Sequence, residues 1–190
     1  MGPSPLDFDE GPLQVARGLI GALLLVDGVG GRIVETEAYD ANDRASHSHG
    51  GPRLRNAAMF GPAGHAYDYR SYGIHWCFNV VCRAAGQGAA VLIRALEPLY
   101  GLDAMRLRRG TVENRVMCAG PGRVGQALGI GPWHNGLPLN APPFELRLAG
   151  TAPGIVVGPR IGISKATDLQ WRFGLQGSRF LSRRFARHTA

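Results

Sequence analysis

The sequence contains only three cysteines, Cys77, Cys82 and Cys118, and no C-x-x-C pair. An odd number of scattered cysteines argues against a disulfide framework, and the missing pair argues against a zinc site. We therefore expect these cysteines to fill space in the core of a protein from a reducing, intracellular compartment.

Long apolar runs and targeting signals are also missing. The longest uncharged apolar run, from Leu19 to Val26, is far shorter than the ~20 residues that a membrane span requires. The stretch from Met1 to Glu10 is acidic and lacks the basic segment of a secretory signal. These absences predict a cytoplasmic protein without a membrane partner.

Basic charge is present in excess, and arginine carries nearly all of it. Lys+Arg number 21 against 14 Asp+Glu, for a net charge of +7, and Lys165 is the single lysine. Arginine binds phosphate through a planar, bidentate fork, so a polyanionic partner is one interpretation. The codon bias of a GC-rich genome is the other. A chain of this size buries roughly 70% of its unfolded surface, which predicts one domain over residues 1–190 with flexible ends at 1–10 and 183–190.

Residue patterning predicts an α+β fold with mostly antiparallel strands. One predicted helix begins near Pro12 and includes Leu23 or Leu24 in its apolar stripe. The other predicted helices are 98–109 and 120–130, and the predicted strands are 32–39, 65–71, 74–82, 89–96, 144–148 and 155–163. Residues 40–63 form a long polar segment of the kind that is functional or mobile in compact domains. A basic tail follows the last strand.

Two glutamates lie on the predicted strand 32–39. Period-two alternation places Glu35, Glu37 and Tyr39 on one face together with Ile33. A carboxylate pair on an apolar strand is unfavourable unless it is solvated, paired or catalytic. Two interpretations remain open: an exposed face with arginine partners, or a general base for water whose neighbour tunes its pKa.

Three tyrosines mark the predicted hairpin. Tyr67 and Tyr69 share one face of its first strand, and Tyr72 stands at the tip beside Gly73. Tyrosines in strands are often core residues. An aromatic residue at a tip, however, is better placed to enter a partner, because aromatic rings with basic charge stack on bases and a wedge can part a base step.

Two further signals concern ions. Arg94 follows an apolar run and therefore needs an anionic partner, either a glutamate or a phosphate. His47 and His49 suggest a metal, but no acidic or cysteine partner lies near them at zinc spacing. We expect no metal and no cofactor.

Several motifs recur in order from about Leu13 to Ser182. They are RIVETEAY at 32–39, His47-Ser48 with Gly50-Gly51, Met59-Phe60, the three hairpin tyrosines, CFNV at 77–80, LIRALEP at 92–98 and GPG at 120–122. Together they resemble the alkyladenine (3-methyladenine) DNA glycosylase family in its bacterial form. No single motif is decisive, but the ordered set is specific.

The resemblance implies a DNA repair enzyme. Members flip damaged purines such as 3-methyladenine, 7-methylguanine, hypoxanthine and 1,N6-ethenoadenine out of duplex DNA and hydrolyse the N-glycosidic bond. The implied fold is a curved, mostly antiparallel sheet surrounded by helices, with a protruding hairpin that inserts into DNA. The implied protein acts as a monomer at the bacterial nucleoid.

The resemblance also assigns roles to individual residues. Glu37 matches the general base, and Arg94 matches an arginine that helps to hold the attacking water. The base pocket is implied to comprise Tyr39, His47, Tyr69 and Asn79. Asn79 is implied to reject unmodified guanine through the 2-amino group of that base, and Tyr72 is the implied intercalating residue.

Lysine usage and two rival functions complete the expectations. A glycosylase with lyase activity needs an amine nucleophile, and Lys165 lies outside every matching motif, so we expect a monofunctional enzyme. One rival is a non-catalytic nucleic-acid-binding or damage-recognition module. The other is a glycosidase that uses Glu35 and Glu37, although such a pocket is expected to be rich in tryptophan.

Overall fold

The computed structural model describes residues 6–186, which form one curved antiparallel sheet with helices packed against it. The helices are α1 (Pro12–Gly18), α2 (Leu102–Arg109), α3 (Asn114–Met117) and α4 (Pro121–Leu128), with 3-10 helices at Leu54–Phe60 and Pro132–His134. The strands are β1 (Leu23–Val26), β2 (Val29–Tyr39), β3 (Ala66–Ser71), β4 (His75–Cys82), β5 (Ala89–Tyr100), β6 (Phe144–Arg147), β7 (Ile155–Gly158) and β8 (Arg172–Leu175).

The sheet has the order β3-β4-β5-β2-β1-β6, and β8 pairs with both β2 and β7. On the side of β2 that faces away from β5, the first part of this long strand pairs with β1 and a later part pairs with β8. All of these pairings are antiparallel within the described residues. The predicted α+β fold with a curved antiparallel sheet is confirmed.

The main core lies between the sheet and the helices. Apolar residues of α1 and α4, such as Val15 and Leu128, pack there against residues of β2, β4 and β5, such as Phe78 and Ile93. Helix α4 approaches β4 closely at Gly125, where a Cβ atom would stand 2.0 Å from a backbone oxygen of β4. The three cysteines are buried and free, as predicted.

Several predicted boundaries were wrong. Strand β5 runs on to Tyr100, so residues 98–100 are not helical, and α2 begins only after Gly101, which has φ +67°. Leu23 and Leu24 belong to β1 rather than to the first helix. Strand β8 lies in the region that the sequence predicts as a basic tail. Local pattern does not reveal this strand, because it is defined by its pairing with β2 and β7.

A register irregularity changes the faces of β2. The pairing with β5 shifts between Ile33 and Glu35, and such a bulge reverses the alternation of side chains beyond it. Ile33 accordingly packs in the main core together with Ala38. The prediction that Ile33 shares a face with the glutamates was therefore wrong.

Parts of both predicted flexible ends, residues 1–5 and 187–190, lie outside the described residues. Nearer the domain, the Phe8 carbonyl accepts a hydrogen bond from the Arg83 amide, and the Arg183 carbonyl accepts one from Arg172. No helix within residues 6–186 is long and apolar enough to cross a membrane.

Candidate active site

A cavity of about 970 Å³ opens beside the β3–β4 hairpin. Its wall combines side chains from β2, β3, β4 and β5 with two loops, one before the 3-10 helix Leu54–Phe60 and one after β7. Six of the seven predicted site residues line it: Tyr39, His47, Tyr69, Tyr72, Asn79 and Arg94. The structure therefore brings these six residues to one cavity from four strands, one loop and the hairpin turn.

Glu37, the seventh residue, lies directly behind the cavity wall. It is completely buried, and its Oε2 accepts hydrogen bonds from the Tyr39 hydroxyl at 2.9 Å and from Arg94 Nη1 at 3.3 Å. Its Oε1 accepts a bond from the Ile161 amide at 2.7 Å. Burial raises the pKa of Glu37, opposed by the charge of Arg94 and by the bonds from Ile161 and Tyr39. The carboxylate is one side chain away from the space where a ligand would sit.

Arg94 joins the two glutamates. Its Nε donates to Glu35 Oε1 at 3.2 Å, its Nη1 donates to Glu37, and its Nη2 reaches the Ser182 hydroxyl. Although burial opposes the charge, the two carboxylates raise the pKa of Arg94. Since both glutamates are fully buried, the exposed-face interpretation is wrong, while its arginine partners are present.

Most hydrogen bonds to Glu35 come from residues that do not line the cavity. Its Oε1 also accepts bonds from Arg172 Nε at 2.7 Å and from the Ser182 hydroxyl at 2.8 Å. Ser182 donates its backbone amide to Oε2 of the same carboxylate. This network ties the C-terminal segment to the strand that carries Glu37.

Aromatic rings form one side of the cavity. The ring of His47 meets that of Tyr69 edge-on at 4.4 Å between centroids, and its Nδ1 lies 3.0 Å from the Tyr67 hydroxyl. Desolvation, together with the charge of Arg55, lowers the pKa of His47. Burial and the Glu37 carboxylate raise the pKa of Tyr39, so its hydroxyl stays protonated and donates to Glu37.

Asn79 presents a rigid amide to the cavity. Its Nδ2 donates to the backbone carbonyls of Tyr67 at 2.9 Å and Cys77 at 3.2 Å, and the residue is 4% exposed. Because both amide hydrogens are bonded to strand backbone, the side chain cannot turn aside for a ligand.

Tyr72 projects from the hairpin tip. The residue is 90% exposed and adopts φ +49°, next to Gly73 at φ +69°. Two consecutive positive φ angles make a tight turn of the hairpin type. The left-handed conformation is unfavourable for tyrosine by about 1–2 kcal/mol, so the tip holds an exposed aromatic ring at some local strain.

Two further observations concern a possible amine nucleophile and a metal site. Lys165, which lies outside every matching motif, lines the cavity together with Ile161. Within residues 6–186, no three His, Cys, Asp or Glu side chains cluster as a metal ion would require.

Sequence reasoning missed a buried ion pair that supports the pocket. Arg160 donates to both carboxylate oxygens of Asp43 and to the Ala38 carbonyl, and its guanidinium stacks over the Tyr39 ring at 4.6 Å. The pair connects the loop after β7 with the loop that carries His47. The sequence offered one signal for this pair, because Arg160 lies within the predicted strand 155–163 and a charged residue in an apolar strand needs a partner.

Asp68 is a buried acid at the start of the hairpin. Both of its carboxyl oxygens are buried and accept no hydrogen bond from residues 6–186. Burial raises its pKa to about 8. The folded protein therefore keeps this proton up to about pH 8, whereas an unfolded chain releases it near its ordinary pKa of 3.8.

We expect Asp68 to make the protein less stable as pH rises from about 4 to about 8. The folded state binds more protons than the unfolded state in this window, so the free energy of unfolding must fall. Asp68→Asn removes the titration. Its melting temperature relative to wild type should rise by several degrees between pH 5 and pH 8, at about 2–4 °C per kcal/mol for a protein of this size.

Asp103→Asn provides the control, because the Asp103 side chain is almost fully exposed. Its difference from wild type should stay nearly constant over the same pH range. An equally constant difference for Asp68→Asn would contradict the raised pKa.

A cavity with an aromatic wall and a buried carboxylate behind it, on a protein with a net charge of +7, fits the class of proteins that bind nucleic acids. Aromatic rings hold flat bases, and excess positive charge binds the phosphates around them. Residues 7–179 match the model of the methylpurine-DNA glycosylase family. The chain belongs to this family.

Similar proteins carry a matching name. A protein of Nitrosospira multiformis is 62% identical over 97% of this chain and 96% of its own length. One from Rhodopseudomonas palustris is 63% identical over 89% of this chain and 84% of its own, and one from Rhizobium meliloti is 57% identical over 94% and 95%. Each of the three is named "Putative 3-methyladenine DNA glycosylase".

Proposed function

We propose that this protein is a monofunctional DNA glycosylase that flips damaged purines out of duplex DNA and hydrolyses their N-glycosidic bond. The observation that carries the proposal is the Tyr39–Glu37–Arg94 group, in which two cavity-lining residues hold a buried carboxylate. Family membership supplies the reaction class. The protein acts as a monomer on the DNA of the bacterial cytoplasm and nucleoid.

The proposed substrates are purines that leave easily or pair poorly. The names of the relatives point to 3-methyladenine, and the same pocket takes 7-methylguanine, hypoxanthine and 1,N6-ethenoadenine. Cationic methylated bases are good leaving groups. The neutral lesions need a proton as they depart, and extrusion is least costly where pairing is already weak.

Glu37 acts as the general base in the proposed reaction. As the oxygen of a water molecule bonds to C1′, the C1′–N bond breaks, its electron pair remains with the purine, and the proton of the water passes to Glu37. Because Glu37 lies behind Tyr39 and Arg94, entry of the base must draw one of these side chains aside to admit the water. Oε1, which accepts a single hydrogen bond, has a free lone pair for it. The carboxylate also stabilises positive charge that develops on the sugar.

The remaining pocket residues select and hold the base. Tyr39 and His47 sandwich the flipped ring, and Tyr69 closes its edge. Asn79 disfavours bases with a 2-amino group, because its fixed amide meets that group and cannot move away. Unmodified guanine is thereby excluded, whereas 7-methylguanine, which carries the same group, is still released because its cationic ring is a good leaving group. Tyr72 fills the gap that the flipped nucleotide leaves in the duplex.

A non-catalytic damage-recognition module is the second candidate. The observation that favours it is the position of Glu37, which is fully buried and does not itself line the cavity. Such a module would bind lesions tightly and release no base.

The deciding experiment is single-turnover base release from duplex oligonucleotides that carry each of the four lesions, with undamaged guanine as the control. Release of damaged bases but not of guanine supports the proposal. Tight binding without release supports the recognition module instead.

A second assay separates monofunctional from lyase chemistry. Because Lys165 lines the cavity, borohydride is added during turnover to trap any Schiff base with DNA. We expect no adduct and no strand cleavage at the abasic product. An adduct that Lys165→Arg removes would show that the enzyme has lyase activity.

A further inference from the structure

Leu54 is fully exposed at the rim of the cavity. It begins the 3-10 helix Leu54–Phe60, and its neighbours Arg53 and Arg55 are exposed as well. An isolated exposed leucine is common on protein surfaces and carries no meaning by itself. The position of this one and the way it is held distinguish it from leucines that are exposed elsewhere.

The turn that carries Leu54 is anchored firmly. Asn56, which is 1% exposed, donates from Nδ2 to the carbonyls of His47 at 2.8 Å and Gly51 at 3.2 Å. Its Oδ1 accepts a bond from the Arg53 amide at 2.6 Å. Leu54 is therefore presented from a rigid support that it shares with His47, and it does not fold back onto the protein.

The charges beside Leu54 indicate the chemistry of its partner. Arg53 and Arg55 flank it in sequence, and Arg55 lines the cavity. After desolvation, the charge of Arg55 is the second influence that lowers the pKa of His47, which shows that this charge acts close to the pocket. An apolar side chain between two cations fits a partner with apolar ring faces between anionic groups, as in a nucleic acid strand.

We propose that Leu54 is a second apolar contact to duplex DNA, packing against the nucleotide next to the flipped one while Tyr72 occupies the gap. This inference rests on the proposed function, because it assumes that the cavity receives a base from DNA. Two apolar contacts, one on the hairpin and one on the 3-10 helix, hold the distorted duplex on separate supports. Apolar wedges of this kind stabilise unstacked steps.

The test compares Leu54→Ser with Leu107→Ser in affinity for a duplex that carries 1,N6-ethenoadenine, over a range of salt concentrations. Leu107 is 87% exposed on α2, which contributes no residue to the cavity wall. We expect Leu54→Ser to weaken binding about tenfold, as burial of most of a leucine side chain would. The slope of log affinity against log salt should not change, since no phosphate contact is lost.

Arg55→Ala should, in contrast, make the slope of log affinity against log salt shallower, because it removes a cation that contacts phosphate. Leu54→Met should retain near-native affinity, and Leu107→Ser should match wild type. Unchanged affinity in Leu54→Ser, or an equal loss in Leu107→Ser, would overturn the inference. Base release by wild type is measured in parallel, so that a failure of the proposed function is visible separately from a failure of the Leu54 contact.

Discussion

Glu37→Gln is expected to lower the single-turnover rate of base release by about 10³-fold or more, near the upper range for a general base. The affinity for lesion-containing duplex should change little. The amide has nearly the same shape as the carboxylate but cannot accept the proton of the attacking water. Only the transition state needs this transfer, so the loss should fall on the chemical step and not on binding.

The pH dependence of the rate provides an independent readout. Glu37 must be ionised to act as a base, and burial raises its pKa. Excision by wild type should therefore decline as pH falls, and the decline should begin at a higher pH than an ordinary glutamate would give. The residual activity of Glu37→Gln should lack this acid limb.

Glu35→Gln is the matched control for Glu37→Gln. Glu35 is equally buried and bonds to the same Arg94, but its remaining partners are Arg172 and Ser182 rather than pocket residues. We expect Glu35→Gln to lower the melting temperature, because it weakens a buried ion network, while base release falls no more than about tenfold. Normal release by Glu37→Gln, with its fold confirmed by thermal melting, would refute the assignment of Glu37 as the base.

Tyr72→Ala is expected to weaken binding to lesion-containing duplex by about 10- to 100-fold, corresponding to about 1–3 kcal/mol for the loss of one ring that stacks on bases. Base release at saturating enzyme should also slow, because the flipped nucleotide returns to the helix more readily. A fluorescent base analogue placed beside the lesion reports this unstacking directly.

The structure separates this effect from any loss of stability. Tyr72 is 90% exposed, so its removal should leave the melting temperature almost unchanged. Tyr72→Gly should additionally relieve the strain of φ +49° and raise the melting temperature slightly, yet bind DNA as poorly as Tyr72→Ala. Tyr100→Ala, at a half-exposed tyrosine outside the cavity, serves as the control. Native affinity in both Tyr72 variants would refute its insertion into DNA.

The sequence pattern predicted the hairpin well, because its two strands and its turn are adjacent in sequence and depend on local residue types. The structure has strands at Ala66–Ser71 and His75–Cys82 with Tyr72 exposed between them, close to the predicted ranges. Alternation failed where non-local pairing intervened. The bulge in β2 moved Ile33 to the opposite face from Glu35, and Pro98 continued a strand although it was expected to start a helix.

Six of the seven residues that the motif resemblance named line one cavity. The resemblance did not predict which contacts hold the seventh, Glu37. The Ile161 amide bonds Glu37 across 124 positions of sequence, and Ser182 bonds Glu35 across 147. The Arg160–Asp43 pair spans 117 positions. None of these contacts has a local pattern, because each depends on how the segment after β7 folds back over β2.

By itself, the sequence determined the antiparallel α+β class, the basic charge and the exposed aromatic tip, because residue types and their spacing carry these properties directly. The residues expected at the cavity came from the resemblance of its motifs to a known family. Only the tertiary structure decided that Glu37 lies behind Tyr39 and Arg94, that Lys165 reaches the cavity, and that the buried Asp68 carboxyl group has no hydrogen-bond partner among residues 6–186. Depth, pKa and access depend on segments that are distant in sequence, and packing alone brings those segments together.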